Sequence, residues 1–344
     1  MLFFKLFFNP PVISKGLSVK NFSPYYEIYT PLLPYKLLKM ILRRIIYLVT
    51  TLLSIQAQAQ LAIKAEYFGE SSYWQDKGEE PRERIGTTKG SAVVYNATLN
   101  IPLSSRLDRN EKPILWGAGI AGSYASLKNK NFTDDLVIPE IANLSAALYH
   151  IRSINDRWSM IMSLGAGIYA PTSVLKEVHA KHLLGSMSAI FIYKMTPNLD
   201  LGAGLAINST FGYPMAFPAL YVNWRMQGDL DFKLALTNGL EVKAGLNMHK
   251  NLSLSLIGEM NGQTALLTKD EKDVIFTHQY IIIIAALQTE IKINKSNHTP
   301  LRSEKYAIRS AYFSERTLKA MFQNKNNYYF QIAPYASAGV TIDF

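Results

Sequence analysis

The sequence of 344 residues contains no cysteine. This absence excludes disulfide frameworks, thiolate metal sites and cysteine nucleophiles together, and in an exported protein it suits an oxidising compartment. Long apolar runs are also missing, because the longest aliphatic run, Ile281 to Leu287, is far shorter than the roughly 20 residues of a membrane-spanning helix. With a mean hydropathy of +0.02, a helical membrane protein is excluded. A membrane location would therefore require strands closed into a barrel.

Motifs that carry chemistry are scarce. The sequence has no G-x-S-x-G nucleophile elbow and no P-loop. Ser145 and His150 are five residues apart and would lie on opposite faces of a strand, which disfavours a Ser–His hydrolase. His179 and His182 have the spacing of a zinc pair, but no third ligand lies nearby in the sequence, so a solvated loop is the default interpretation. We therefore expect no enzyme activity, no catalytic residue, no cofactor and no metal.

The amino-terminal region resembles a secretory signal that begins at Met40. Arg43 and Arg44 supply the charged start, an apolar stretch follows, and Ala57-Gln58-Ala59 is a small-x-small cleavage site that would leave Gln60 as the first mature residue. We interpret residues 1–39 as an over-extended start, with a long leader as the alternative. Residues 40–59 would be the signal and residues 60–344 the mature domain.

The net charge depends strongly on this leader. The full chain carries +10, but residues 1–59 hold seven basic residues and one acidic residue, which leaves 29 basic and 25 acidic residues in the mature part. Without that segment, no basic cluster interleaved with aromatic residues remains. The composition therefore gives no support for nucleic-acid binding.

Apolar residues alternate with polar or small ones along most of the mature sequence. In residues 240–248 the apolar set alternates with Glu241, Lys243, Gly245 and Asn247, which is typical of a strand with one oily and one wet face. In a barrel the charged set would face the interior and tune which ions or solutes pass. The candidate interior charges are Lys64, Glu66, Glu241, Lys243, Glu259, Glu290 and Lys292.

Turn signals divide the mature sequence into about 14 strands, with 12 to 16 as the range. Short Asn-, Gly-, Pro- and Asp-rich turns alternate with longer polar loops, as in outer-membrane barrels, whose short turns face the periplasm. The longer loops are predicted near residues 70–89, 128–137, 171–182, 263–276 and 314–327. Aromatic residues near strand ends fit the two membrane interfaces; they include Tyr67, Phe68, Tyr73, Trp74, Trp158, Tyr193 and Trp224.

The carboxyl-terminal strand has apolar residues on every second position. The predicted lipid-facing set comprises Phe344, Ile342, Val340, Ala338, Ala336, Ile332, Phe330 and Tyr328. A terminal Phe on such a strand resembles the assembly signal of bacterial outer-membrane β-barrels, and Val340, Ile342 and Phe344 would carry it. The same alternation fits an edge strand of a soluble β-sandwich.

The sequence resembles an uncharacterised family of bacterial outer-membrane β-barrel proteins. Four features carry this resemblance: the signal, the strand at residues 97–103, the Gly-Ala-Gly strands at residues 165–167 and 202–204, and Phe344. The resemblance covers about residues 60–344. It implies an antiparallel transmembrane β-barrel in the outer membrane of a Gram-negative bacterium, in contact with outer-membrane lipid. It also implies export and barrel-assembly machineries as partners during biogenesis, and it implies no reaction.

Two classes of function remain open. In the first, the barrel is a channel or a surface structural protein, with an interior lined by small and charged residues. In the second, it is a barrel enzyme that acts on lipid or surface polysaccharide. A soluble periplasmic β-protein is a third interpretation. The oligomeric state is open, and the absence of a catalytic constellation favours the first class.

Overall fold

A computed structural model of the protein describes residues 59–76, 83–132, 138–210, 213–226, 228, 230–236, 240–249, 252–269, 271–290, 298–317 and 327–343. Most of these residues lie in β-strands. Two short 3-10 turns occur between strands, at Thr172–Val174 and Ala180–His182. Within these ranges, no helix has the length and apolar character needed to cross a membrane.

The strands follow one another along the chain with short connections. They are β1 Gln60–Asp76, β2 Glu83–Leu107, β3 Pro113–Lys130, β4 Glu140–Ser153, β5 Trp158–Pro171, β6 Leu183–Thr196, β7 Leu199–Asn208, β8 Met215–Met226, β9 Leu230–Leu236, β10 Leu240–His249, β11 Leu252–Lys269, β12 Lys272–Glu290, β13 His298–Glu315, β14 Asn327–Phe330 and β15 Ala333–Asp343.

The sheet closes on itself. Strands adjacent in sequence pair in antiparallel fashion from β1 to β13, and β1 also pairs with β14 and β15. Gln60 lies opposite Asp343, while β14 and β15 both lie between β13 and β1. These two segments occupy one position in the wall, so the described residues form a ring of 14 strands. The predicted all-β antiparallel barrel of about 14 strands is confirmed.

The two ends of the barrel differ in their connections. We call the end that carries Gln60 and Asp343 the near end, and the opposite end the far end. Near-end connections span two to seven residues, whereas far-end connections reach eleven residues, at 172–182 and 316–326. Two far-end connections are short, at 237–239 and 270–271. The expected contrast between short turns and long loops is therefore present in part. The predicted loop at residues 70–89 is largely strand, because β1 continues to Asp76 and β2 begins at Glu83, whereas the connection at 237–239 is short as predicted.

The outer surface is apolar, as the alternation predicts. Leu164, Leu205 and Leu230 are between 61% and 63% exposed, while a residue that alternates with Leu164, Ser163, is partly buried and contacts Ser188. Aromatic pairs line the near end of this surface: the rings of Trp158 and Tyr193 lie 4.9 Å apart. The rings of Trp224 and Phe232 lie 5.0 Å apart, and those of Trp116 and His150 4.3 Å.

Several aromatic residues assigned to the outer surface lie inside instead. Phe68 and Tyr73 are fully buried, and the Tyr73 ring lies 4.7 Å from the Phe330 ring. Phe330 was expected to face lipid together with Val340. The break at Gln331 and Ile332 between β14 and β15 shifts the alternation, so Phe330 turns inward.

Candidate functional site in the barrel interior

The far part of the β11–β12 hairpin is buried on both faces. We call residues 263–277 the far-end hairpin. Consecutive side chains on each arm are buried: Ala265 and Leu266 on β11, and Ile275 and Phe276 on β12. A strand in the wall of a barrel exposes every second side chain. Burial of successive residues therefore shows that this hairpin lies inside the barrel. The end of β13 accompanies it, because residues 274–277 still pair with residues 312–315.

One face of the far-end hairpin joins the main buried cluster. Ala265 and Phe276 pack in the same cluster as Phe68 of β1 and Val94 of β2. The Phe276 ring also lies 4.9 Å from that of Phe313. This face therefore covers the inner surface of the strands around β1.

The opposite face packs against the other side of the barrel. Leu266 and Ile275 cluster with Tyr169 of β5 and Leu184 of β6. With its amide nitrogen turned toward β11, Asn143 of β4 donates to the Thr264 carbonyl at 2.7 Å. The far-end hairpin therefore crosses the interior and fills the space between opposite walls.

The prediction of a long polar loop at residues 263–276 is wrong. Strands β11 and β12 continue through it and are joined at residues 270–271. The charged run Lys269-Asp270-Glu271-Lys272-Asp273 suggested a loop, but it is flanked by two apolar triplets, at residues 265–267 and 274–276. Three apolar residues in succession indicate a strand buried on both faces, which is the signal that the alternation analysis missed.

Polar contacts hold the far-end connections around the tip of the far-end hairpin. The Arg316 guanidinium donates to three carbonyl oxygens: Nε to Thr210 at 2.8 Å, Nη1 to Lys181 at 3.0 Å and Nη2 to Ser209 at 3.2 Å. Lys181 Nζ in turn donates to Thr268 Oγ1 at 2.9 Å. Arg316 therefore ties the connection at 172–182 to the one at 209–214, and Lys181 links both to the hairpin.

A cavity of about 370 Å³ lies beside this tip, between the start of β4, the connection at 172–182 and Leu267. His179 and His182 line it, but His182 Nδ1 accepts the backbone N–H of His179 at 3.0 Å. Burial and the nearby Lys181 charge lower the pKa of His182. Within the described ranges, no three His, Asp or Glu side chains are grouped to hold a metal ion.

A buried carboxylate organises the interior below the far-end hairpin. Glu66 Oε1 accepts from Tyr335 OH at 2.5 Å and lies 2.8 Å from Lys64 Nζ. Its Oε2 accepts from Asn96 Nδ2 at 2.6 Å and from Tyr280 OH at 3.1 Å. Four donors satisfy both oxygens, so a charge that is only 2% exposed is compensated.

Arg309 is the opposite case, a buried cation with little compensation. Its Nη2 donates to the Gly90 carbonyl at 2.6 Å, and its guanidinium lies 4.1 Å from the Phe330 ring centre and 5.7 Å from that of Phe68. Its Nε finds no hydrogen-bond partner in the described part of the chain, and neither does the nearby His278 Nε2. Burial without full pairing is costly, so the closed interior carries an electrostatic penalty.

Ion pairs line the inner face of the short β9–β10 hairpin. Lys233 Nζ contacts both carboxylate oxygens of Glu241 at 2.7 Å, and Lys243 Nζ pairs with Asp231. All four side chains are about one-third exposed. This part of the interior is therefore charged but locally neutral.

The structure places five of the seven candidate interior charges on the inner face: Lys64, Glu66, Glu241, Lys243 and Glu259. Glu66 and Lys64 contact each other, as do Glu241 and Lys243 with their β9 partners. The side chain of Glu290, and Lys292, lie outside the described residues, as do Ala57 and Phe344. Ala59 and Gln60 are described and stand at the near end. Any role of these residues in permeation, cleavage or assembly stays a prediction.

Sequence reasoning missed the partners of Glu66 and the buried Arg309. Tyr280 and Tyr335 alternate with apolar residues on the same strands, which gave no reason to expect hydroxyl donors to a carboxylate. Arg309 has a weak signal, because a cation two residues from Ala307 and Ala311 shares their face of the strand. Its partners come from other strands, so spacing could not reveal them.

The closed ring, the apolar exterior and the polar groups inside define the class of the protein, an antiparallel transmembrane β-barrel. The chain belongs to the family described as Domain of unknown function (DUF6268), whose model matches residues 55–343. The expected membership of an uncharacterised family is thereby confirmed. No curated protein sequence matches the chain.

Solved structures with some similarity include three barrel proteins. The translocator domain of the autotransporter NalP from Neisseria meningitidis is 13% identical, over 89% of this chain and 96% of that one, with a TM-score of 0.27. OpdQ from Pseudomonas aeruginosa is 9% identical over 84% and 100%, with a TM-score of 0.28. A BenF-like porin from Pseudomonas fluorescens Pf-5 is 10% identical over 83% and 99%, with a TM-score of 0.29. Likeness at this level says nothing about function.

Proposed function

We propose that the protein is a channel of the bacterial outer membrane, closed at its far end by the far-end hairpin. The observation that carries this is burial of both faces of that hairpin inside the barrel, where Leu266 and Phe276 contact opposite walls. A barrel with only a structural role does not need strand ends that fill one end of its interior, whereas a passage that opens and closes does.

Three features support the outer membrane as the location. The exterior is apolar and carries an aromatic belt at the near end, as a bilayer-spanning barrel requires. Residues 40–59 resemble an export signal, and Val340 and Ile342 expose their side chains on the last strand. The near end, with its short connections, then faces the periplasm, and export and assembly machineries act during biogenesis.

The interior chemistry supports a non-catalytic passage. On the described strands, no serine hydroxyl donates to a histidine ring: His278 Nδ1 contacts Gln263 Oε1 at 3.0 Å, and His182 Nδ1 takes a backbone N–H. Ser163 and Ser188 contact each other inside the barrel at 2.8 Å. The described part of the interior therefore offers small hydroxyls and paired charges to a passing solute, and none of its serines is activated by a histidine.

The closed state carries a desolvation cost that favours opening. Arg309 and His278 lie beside Phe68 and the main cluster, and each has one nitrogen atom without a hydrogen-bond partner among the described residues. Water entering as the hairpin moves would solvate both groups and recover part of the desolvation cost. The tip contacts of Arg316 and Lys181 would then set how often the hairpin leaves.

Single-channel conductance of the protein, purified from the outer membrane of cells that express the full chain, tests the proposal. The unaltered protein should be closed for most of a recording in planar bilayers. Arg316→Ala removes three hydrogen bonds at the tip and should increase the open fraction several-fold. Arg157→Ala is the matched control, because this exposed arginine donates to Tyr193 OH at 3.1 Å at the near end.

A second variant keeps the test decisive. Replacement of residues 263–277 by an Asn-Gly turn removes the far-end hairpin, including Leu266 and Phe276, and keeps the paired residues of β11 and β12 outside it. Heat-modifiable migration on a gel would show that the barrel has folded. A folded, inserted barrel of this kind that never conducts would contradict the channel proposal.

A further inference from the structure

A row of residues on five neighbouring strands brings two arginines to the outer wall near the near end. In register the row runs from Arg106 of β2 through Ile114 of β3, Arg152 of β4 and Met160 of β5 to Phe191 of β6. Residues directly opposite each other in antiparallel strands point to the same face of the sheet. We call these five residues the near-end row.

The near-end row lies on the outer face of the barrel. Phe191 is 47% exposed, and so is much of Trp116, which shares a face of β3 with Ile114. The residue that alternates with Trp116 on β3, Gly117, instead faces the buried ring of Tyr149. The side chains of both arginines are exposed. Two cations therefore stand on the outer wall with apolar residues beside them in the row.

The near-end row runs through the aromatic belt of the near end. Trp116 and His150, whose rings are in contact, lie two residues from the row on β3 and β4. Trp158 and Tyr193, which also contact each other, lie two residues from it on β5 and β6. Aromatic belts lie at the level of the lipid headgroups. The two arginines are therefore at the depth of the headgroup phosphates, where a charge on the outer wall costs little.

Both guanidinium groups are available to a ligand. In the ranges that the structure describes, neither Arg106 nor Arg152 has an ion pair or a hydrogen bond from its side chain. Asp108 feels the charge of Arg152, but its Oδ1 already accepts the backbone N–H groups of Asn110 at 2.8 Å and Lys112 at 2.9 Å. These backbone hydrogen bonds are the main reason why the pKa of Asp108 is lowered.

The spacing of the two arginines suits one anion held between them. They flank Ile114 at a distance of two strand spacings, about 10 Å between Cα atoms. Both side chains are long enough to reach an anion above Ile114, and the planar guanidinium group matches phosphate oxygens in pairs. Without an anion the two like charges repel each other, so a bound phosphate would relieve that repulsion.

We propose that Arg106 and Arg152 bind the phosphate of a glycerophospholipid with a net negative headgroup, such as phosphatidylglycerol, in the periplasmic leaflet. The acyl chains would lie along the exposed side chains of Ile120 and Leu148 on the same two strands. A zwitterionic lipid should bind less well, because its ammonium group is repelled by the arginines. The inference rests on the proposed location and orientation of the barrel and deepens them by naming a lipid partner and its site.

Quenching of tryptophan fluorescence by brominated lipids in liposomes tests this site. The chain has four tryptophans, and Trp74→Phe, Trp158→Phe and Trp224→Phe together leave Trp116 as the reporter beside the arginines. A second variant keeps Trp224 alone as the matched control, because Trp224 lies in the same belt and its register partners are both leucines. Each full-length variant is reconstituted in phosphatidylcholine that contains the same fraction of dibrominated phosphatidylglycerol or dibrominated phosphatidylcholine.

Brominated phosphatidylglycerol should quench Trp116 several-fold more effectively than brominated phosphatidylcholine, and the two lipids should quench Trp224 equally. Arg106→Gln and Arg152→Gln should each reduce the preference at Trp116, and the double variant should abolish it. Arg109→Gln removes an exposed cation from the connection at 108–112 and should leave the preference unchanged.

Three results would overturn the site. Equal quenching of Trp116 by the two lipids would show that the arginines do not select a headgroup. An equal preference at Trp224, or an equal loss in Arg109→Gln, would show only a general attraction of anionic lipid to a basic surface. A preference that inorganic phosphate abolishes at matched ionic strength would assign the arginines to a soluble anion.

The same measurements separate this inference from the proposed function. Absence of quenching of Trp116 by either lipid would contradict the membrane location and the lipid site together, whereas quenching without preference contradicts the lipid site alone. Both arginines lie outside the interior, so the double glutamine variant should conduct as the unaltered protein does. A barrel that shows the lipid preference but never conducts retains the site and loses the channel.

Discussion

Two neighbouring hairpins of this barrel behave in opposite ways. The β9–β10 hairpin is short, stays in the wall and exposes Leu230 to its surroundings, while Lys233 and Glu241 pair inside. The β11–β12 hairpin is about twice as long, and its far part enters the barrel with both faces buried. Strict alternation of apolar and polar residues makes a wall strand, whereas apolar triplets make a strand that needs protein on both sides.

The short β9–β10 hairpin also explains why the far part of the β11–β12 hairpin enters the barrel. The described pairing between β10 and β11 ends at Glu241 and Glu259, whereas β11 continues to Lys269. A strand held by hydrogen bonds on one edge only can bend away from the wall, and its apolar residues gain by packing inside. The inward course of the far-end hairpin is therefore a consequence of this difference in strand length.

The largest difference in stability between the two hairpins is expected at Phe276. Phe276→Ala removes a fully buried ring from the far-end hairpin and should lower the free energy of unfolding by about 3–5 kcal/mol. Phe232→Ala, on the outer face of the short hairpin, removes one aromatic pair with Trp224 and should cost about 0.5–1.5 kcal/mol. Urea unfolding in liposomes, followed by tryptophan fluorescence, measures both. Equal costs would show that the two hairpins share one environment.

The next largest effect is a pH dependence of the contacts around the far-end hairpin, which the β9–β10 hairpin should not share. Burial lowers the pKa of His182, so below the unfolded value of about 6.5 the unfolded loop binds a proton that the folded loop does not. Docking of the connection at 172–182 on the far-end hairpin should therefore weaken as the pH falls below about 6.5 and be fully stable above it. Trypsin cleavage at Lys181 should accelerate on acidification, relative to cleavage at Arg109 in the exposed connection between β2 and β3.

His182→Gln removes the titrating group and should abolish that pH dependence. Three neighbouring groups also lower the pKa of His182, namely Lys181, His179 and Arg316, whereas Asp273 raises it. An unchanged cleavage profile in His182→Gln would assign the effect to one of these groups instead.

The smallest effect on stability, but a clear effect on permeation, is expected from the ion pairs of the short hairpin. Glu241→Gln leaves Lys233 unpaired and makes the interior more positive, so reversal potentials should shift toward anion selectivity. The pair is partly exposed, and its loss should cost no more than about 1 kcal/mol. Lys112→Met breaks a comparable pair with Asp156 in a near-end connection and should leave selectivity unchanged.

Much of the architecture could be predicted from local pattern. Alternation located the wall strands, turn residues gave their number, and five candidate charges were placed on the inner face, because the side chain at every second position must share a side of the sheet. The far-end hairpin was misread, since the charged run at residues 269–273 hid the apolar triplets on either side of it.

The sequence by itself determined the closed antiparallel barrel, its apolar exterior and the absence of cysteine chemistry, because these depend on composition and on residues one or two positions apart. Only the tertiary structure decided that Glu66 is held by Tyr280 and Tyr335, that Arg309 lies buried against Phe330, and that the far-end hairpin lies inside the barrel. Those contacts join residues more than 20 and up to 269 positions apart. They follow from how strands of unequal length meet around a ring, which no local pattern encodes.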